Sequence, residues 1–219
     1  MYPRNGDQDG RYMKEEVFSK LISDLVELNY QGLVSPHLYG EPLTDPRIVE
    51  WVKALRDALP KAQIKVVTNG DYLNKDIYQK LVSAGLSFFH LSKHGESLSK
   101  SCLDLLDSLS KEEKDRMFTL IDFYSDFKTD QTLLNTRAGE VKLKIKKKNP
   151  IMCSYVSYPV LDTFGNLILC CNDYHSEHKF GNIMDSSLKE IWFSKKNIET
   201  RKRIFKGHFD YKICQDCYM

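Results

Sequence analysis

The chain lacks any apolar run approaching the roughly eighteen residues that a membrane-crossing helix needs, and it does not open with a charged-then-apolar secretory leader. It also lacks a surplus of charge of either sign: 32 Lys and Arg stand against 30 Asp and Glu, a net +2. No strong field toward nucleic acid or a membrane surface follows, so neither partner is expected. There is no internal repeat and no low-complexity segment. Cysteine is scarce and unevenly placed, with six in 219 residues and five of them from Cys153 onward. A secreted disulfide framework spreads its cysteines through a small chain, whereas clustering of this kind favours metal binding. The composition is that of an ordinary soluble globular protein, for which the cytoplasm is the expected location.

What the chain does have is an alternation of helical and extended patterns. Val17, Leu21, Leu25 and Leu28 recur at helical spacing and predict a helix over 13–28. Residues 32–38 read as a strand ending at Tyr39-Gly40-Glu41-Pro42. Asp45-Pro46 starts a helix with Ile48, Trp51, Val52, Leu55 and Leu59 on its buried face, and Pro60 stops it. A second strand over 64–67 turns at Thr68-Asn69-Gly70. Asn74 caps a third helix that Gly85 ends, and 86–91 is a third strand followed by Ser92-Lys93-His94. Helical material over 98–114 leads to a fourth strand near 117–122. Strands alternating with helices of this length predict βα units and a parallel sheet. Glu41, Asn69 and His94 each follow a strand, where an α/β barrel or half-barrel builds its site. Taken singly, Glu41 reads more readily as a solvated loop acid, Asn69 as a turn former and His94 as a surface histidine.

Residues 124–150 read as a connection that includes Asn135-Thr136-Arg137-Ala138-Gly139. The basic run 142–148, with Val141, Leu143 and Ile145 alternating through it, reads as an edge strand or solvated linker, and no aromatics interleave it to stack bases. The last third carries the chemistry. Cys153 precedes a hairpin of 159–162 against 167–170. Gly181-Asn182-Ile183 and the capping box Ser187-Leu188-Lys189-Glu190 follow, then a second helical piece over 198–205, and Cys214-Gln215-Asp216-Cys217 closes the stretch. Thiolates are soft ligands, and four converging on one point suit an iron–sulfur cluster or zinc equally by spacing. Cys170 and Cys171 both lie where the third thiolate is needed, and either one alternatively reads as a small buried hydrophobe.

This ordered set of elements resembles the SPASM or twitch extension of radical S-adenosylmethionine (SAM) enzymes. Tyr39-Gly40-Glu41-Pro42-Leu43 and Val67-Thr68-Asn69-Gly70 resemble that family's SAM-binding strand ends, and 37–43, 68–73, 93–96 and 136–139 resemble its cyclic-alcohol dehydrogenases. The resemblance implies an α/β fold: a partial (β/α) radical SAM barrel over 1–140, lacking its first strand, and a small cluster-binding domain over 141–219. It implies an auxiliary [4Fe–4S] cluster on Cys153, Cys170, Cys214 and Cys217, which leaves the reading as a small buried hydrophobe to Cys171. It implies SAM at Tyr39, Gly40, Glu41, Pro42, Thr68, Asn69 and His94. Arg137 would lie near substrate or SAM, as a charge stabiliser because guanidinium is a poor base; a structural salt bridge is the alternative. Implied partners are a small-molecule or peptide substrate and a reductant such as flavodoxin or ferredoxin.

The family's C-x-x-x-C-x-x-C, which holds the SAM-cleaving cluster, has no counterpart in these 219 residues. A second [4Fe–4S] is therefore expected only with an additional N-terminal segment, whose absence is expected to reflect truncation rather than a natural remnant. The strand over 33–38 would then form a sheet edge, and low stability is expected of the chain alone. Two other readings use the same cysteines: a non-catalytic iron–sulfur module for electron transfer, and a structural zinc site.

Overall fold

The computed structural model describes residues 12–129, 136, 138 and 152–217. They form two compact units, one of residues 29–125 and one that joins the N-terminal helix to the residues from 126 onward. The expected division at 140/141 is therefore not the one the contacts follow. Helix α1 (Glu15–Glu27) belongs with the C-terminal unit rather than with the parallel sheet.

The unit of 29–125 runs β1 (Leu33–Val34), α2 (Ile48–Ala58), β2 (Gln63–Thr68), α3 (Lys75–Ser83), β3 (Phe88–Lys93), α4 (Lys100–Ser108), α5 (Lys111–Met117) and β4 (Phe118–Asp122). Its four strands are parallel and lie in chain order. Each strand returns through helix, as a half-barrel requires. Ile64, Val66, Phe89 and Leu91 point to one face and are almost fully buried with Val52, Leu55, Leu81 and Leu105 from the helices. Phe89 and Phe118 stack at 5.2 Å between centroids, with Tyr78 against Phe89 at 5.8 Å. Arg56 ties the helix-to-strand turns together, donating to the carbonyls of Gly85 at 3.0 Å and of Pro60 and Ala62 at 2.8 Å each. Gly85 sits at φ +94°, and a Cβ there would fall 2.4 Å from Arg56 Cγ.

Several boundaries differ from the sequence reading. β1 is two residues long because Ser35-Pro36 follows, and proline removes the next ladder donor. Asp45 does cap a turn, accepting from the Arg47 N–H at 2.9 Å, but α2 proper begins at Ile48, and Trp51 is half-buried beneath the Arg47 guanidinium, 4.4 Å from the ring centre. β3 begins at Phe88, two residues late, because the Leu86 N–H still closes α3 on Leu81 O. The helical stretch over 98–114 is two helices, since Leu109 is extended and the Ser110 hydroxyl caps α5 on the Glu113 N–H.

In the other unit, the three-stranded antiparallel sheet is β5 (Val160–Leu161), β6 (Asn166–Ile168) and β7 (Lys179–Asn182). β5 and β6 form the expected hairpin, with Val160 opposite Ile168. The tip is held by Asp162, whose carboxylate accepts from the Phe164 and Asn166 N–H groups at 2.9 Å each, and Gly165 supplies φ +84°. Asn182 knits the next turn to it, donating to Phe164 O at 2.9 Å and to Asn166 Oδ1 at 3.0 Å.

Helix α7 (Leu188–Trp192) carries the full capping box of Ser187 and Glu190. α8 (Lys195–Phe205) and α9 (Lys212–Asp216) complete the unit. Ile191 packs over Gly181, and the Arg201 guanidinium lies over the Trp192 ring, 3.7 Å from its centre. α1 docks through Asp24, which is 4% exposed and accepts from the Leu188 N–H at 2.8 Å. α6 (Phe123–Thr129) follows β4 across the division between the units.

Candidate functional site

Two groups of candidate residues stand out, one in each unit. In the parallel unit they lie at the carboxyl ends of β1 to β3. Gly40, at φ +83°, turns the chain into a 3-10 turn over Pro42–Thr44, for which Glu41 is the N-cap. The Glu41 carboxylate accepts from the Leu43 N–H at 3.1 Å, the Thr68 hydroxyl at 2.7 Å and the Asn69 N–H at 2.9 Å. Burial raises its pKa, and these three donors oppose the rise. The carboxylate thus straps the loop after β1 to the end of β2, so much of its acceptor capacity is already used.

Thr68 is 1% exposed, and its hydroxyl both donates to Glu41 and accepts from the Gly70 N–H at 3.0 Å. It shapes this corner from within. Asn69 exchanges hydrogen bonds with Asp71, at 2.9 Å in each direction, as an Asx turn does. Tyr39 is half-buried and Pro42 buried, while Gly40 and His94 are exposed. His94 stacks on Phe123 at 5.2 Å. The structure therefore brings Glu41, Thr68 and Asn69 into one hydrogen-bonded corner.

The sheet face turned away from the helices also carries titratable side chains. Lys65, Val67 and His90 alternate onto it, with Val67 beside His90 across the ladder. Burial lowers the pKa of Lys65, and burial followed by the Lys65 charge lowers that of His90. A strand that alternates buried and half-buried, rather than reading apolar throughout, was the signal available for them.

In the C-terminal unit, Cys153 caps a 3-10 turn over Ser154–Ser157, Cys170 follows β6, Cys214 lies on α9 and Cys217 ends it. None of these four, nor Cys171, is fully buried or exposed, and all are free thiols. Their sulfurs lie within one another's electrostatic reach: Cys170 with Cys171, Cys214 and Cys217, and Cys214 with Cys153 and Cys217. Burial, helped by these neighbours, pushes the Cys214 thiol up to about 12 and raises Cys153 and Cys170. The backbone N–H groups of Tyr155 and Val156 favour the Cys153 thiolate against that rise. Asn172 donates from its backbone to Cys170 Sγ at 3.4 Å and from its amide to Cys217 Sγ at 3.2 Å.

Val156, Leu169 and Ile204 form the apolar core beside the cysteines, with Cys153 and Cys214 packed on it. Tyr155 and Tyr158 meet edge to face at 6.1 Å, and burial, then the Cys171 sulfur, raises both phenols. Cys171 is half-buried in the same neighbourhood, not the fully buried small hydrophobe it resembled in sequence.

Among the described residues, no three His, Cys, Asp or Glu side chains are gathered tightly enough to hold a single ion. Thr136 donates to Asp216 O at 2.8 Å and anchors the C-x-x-C helix. Cys102 belongs to the parallel unit, fully buried under Gly70 with its thiol pushed up by burial to about 11. Arg137 and the basic run lie outside the described residues. No helix among the described residues is long and apolar enough to cross a membrane.

Comparison with known proteins matches residues 153–218 to the SPASM family, an iron–sulfur cluster-binding domain. The S-adenosyl-L-methionine-dependent 2-deoxy-scyllo-inosamine dehydrogenase of Niallia circulans is 26% identical over 208 residues, covering 94% of this chain and 80% of that protein. The crystal structure of BtrN in complex with AdoMet and 2-DOIA superposes with a TM-score of 0.83 at 26% identity, over 94% of this chain and 80% of that one. Native anSMEcpe with bound AdoMet and Kp18Cys peptide shares the fold at 17% identity and a TM-score of 0.54, over 89% of this chain and 76% of that one. The chain is thus similar to SAM-dependent radical enzymes in its mixed α/β fold with a parallel sheet, and it carries a SPASM iron–sulfur domain over its last third.

Proposed function

We propose that this chain is the body of a radical SAM oxidoreductase, in which Cys153, Cys170, Cys214 and Cys217 hold an auxiliary [4Fe–4S] cluster and the strand ends around Glu41 receive SAM. What supports the reading is that Cys153, Cys170, Cys214 and Cys217, from a 3-10 turn, a hairpin and the last helix, lie within one another's electrostatic reach in a stretch matched to cluster binding. The donor set fits such a group: soft sulfurs, an apolar wall in Val156, Leu169 and Ile204, and N–H donors already aimed at sulfur. Four thiolates suit zinc equally by spacing, and the match of this stretch to a cluster-binding family favours the iron–sulfur group.

Bound there, a cluster supplies a one-electron acceptor for a substrate radical. The protein's own residues provide the rest. Glu41 holds the loops after β1 and β2 in one corner, leaving backbone carbonyls and a remaining carboxylate lone pair for an ammonium. Tyr39, Gly40, Pro42, Thr68, Asn69 and His94 complete or shape the SAM site. Arg137 stabilises negative charge on the substrate oxygen as its proton leaves. A cyclic alcohol or aminocyclitol is favoured over a peptide as substrate, because the 26%-identical relative acts on the former and the 17%-identical neighbour binds the latter. The reductant is a small carrier of the flavodoxin or ferredoxin kind, and the protein works in the cytoplasm. Without a C-x-x-x-C-x-x-C, this polypeptide alone is expected to release no 5′-deoxyadenosine from SAM under reducing conditions.

Anaerobic reconstitution with iron and sulfide tests the reading. About four irons per chain, a brown colour, and loss of both in Cys153→Ser, Cys170→Ser, Cys214→Ser and Cys217→Ser are expected, with Cys171→Ser retaining them. One zinc per chain and no iron uptake would refute it.

A further inference from the structure

Asn172 is 7% exposed and lies at the turn that carries the chain away from Cys170 and Cys171. Its backbone N–H reaches the Cys170 sulfur at 3.4 Å, and its side-chain amide reaches the Cys217 sulfur at 3.2 Å. One residue therefore bridges two sulfurs that arrive from opposite ends of the unit. The choice of acceptor is informative. A neutral thiol is a weak acceptor, and a buried amide N–H facing a weak acceptor forfeits part of the hydration it gave up. Donors aimed at sulfur are well matched only when that sulfur is an anion, as it is when it ligates a metal.

We propose that Asn172 is a positioning residue for the iron–sulfur centre, setting the separation of Cys170 and Cys217 and raising the reduction potential of a cluster held between them. The inference rests on the four-cysteine reading given above. Reduction adds negative charge that spreads onto the ligand sulfurs, so an N–H pointed at them stabilises the reduced form more than the oxidised form. Burial strengthens that preference, because little water competes for the sulfur. The backbone donor to Cys170 survives substitution, so side-chain variants isolate the bond to Cys217.

The test compares the anaerobically reconstituted chain with Asn172→Leu, similar in volume and without a donor, by potentiometric titration of the reduced cluster's electron paramagnetic resonance. The expected result is full iron content and a tenfold weaker one-electron reduction, about 59 mV more negative. The exchangeable-proton coupling to the reduced cluster should also weaken. An unchanged midpoint and coupling at full iron would overturn the proposal. If Asn172→Leu takes up no iron, Asn172→Ala, which removes the same donor without bulk, is judged by the same midpoint. If neither variant takes up iron, an unchanged melt of the iron-free form supports the positioning role. A lowered melt would instead make Asn172 a folding residue and sink the proposal. A wild-type chain that binds no iron refutes the four-cysteine reading itself, and this inference falls with it.

Discussion

The Glu41 strap offers the sharpest perturbation of the parallel unit. Glu41→Ala removes an acceptor that serves three donors on two loops, at 2.7, 2.9 and 3.1 Å. Hydrogen bonds to a charged group contribute about 1.5–3 kcal/mol each when well buried. Glu41 is only half-buried, so the low end applies, and water can reach part of what is exposed. Three bonds at that end come to about 4.5 kcal/mol, and the burial cost that raises the carboxylate's pKa, with its partial exposure, brings the total down to about 3 kcal/mol. At roughly 2–4 °C per kcal/mol for a chain of this size, that is about 6–12 °C in Tm. Glu41→Gln keeps one oxygen for Thr68 and Leu43 but turns an NH2 toward the Asn69 N–H, so about half the loss is expected.

The pH dependence separates charge from shape. Burial raises the Glu41 pKa above its ordinary 4.5, so folding favours the protonated group. A group raised in this way contributes stability that is fully present below its unfolded value and is lost as pH rises through the folded one. The gap between wild type and Glu41→Gln should therefore be widest in acid and narrow toward neutrality. Melting followed by circular dichroism at several pH values reads both effects, and equilibrium dialysis with SAM should show weaker binding in both variants. Glu41→Ala melting within about 1 °C of wild type would refute the strap.

Two further outcomes are expected of the C-terminal unit. Asp24→Ala leaves the first N–H of α7 without its partner, at about 1–3 kcal/mol, and hydrogen exchange at the Leu188 amide should quicken; unchanged protection there would show that α1 does not cap α7. In the iron-free chain, Cys153, Cys170 and Cys214 have thiol pKa values raised chiefly by burial, that of Cys214 from 9.0 to about 12. Stability should thus be flat below pH 9 and fall as pH climbs toward 12, and the iron-loaded chain should not show this fall, because its sulfurs are already deprotonated. A flat iron-free profile across that range would count against the burial of these sulfurs.

The alternation of strand and helix was legible because each helix carries its own periodic stripe and its own stop. Asn74, Gly85 and the Ser187–Glu190 box act locally, and each sits where its type requires. What escaped depends on partners distant in sequence. Asp24 reads as one more solvated acid on an amphipathic helix, and only its bond across 164 positions reveals that α1 belongs to the C-terminal unit. Ser87 gives no hint that its hydroxyl serves both Arg56 and the Ile64 N–H, which helps hold the start of β3 two residues late. Asn172 looks like a turn former beside a cysteine pair, and only the folded hairpin aims its amide at Cys217.

The same distinction bears on what the motifs mean. Glu41 and Thr68 satisfy each other, Asp162 and Asn182 satisfy the hairpin, and Ser187 and Glu190 satisfy a helix end. These residues spend most of their polar capacity on the protein itself, so their presence in sequence speaks first to the fold. The cysteines are different. Their sulfurs lie within one another's electrostatic reach, Cys153 and Cys214 against an apolar cluster, with burial opposing the thiolate and N–H donors favouring it. That opposition is relieved when a cation arrives. A site under such tension is where chemistry can be added to a fold that the other motifs merely hold in shape.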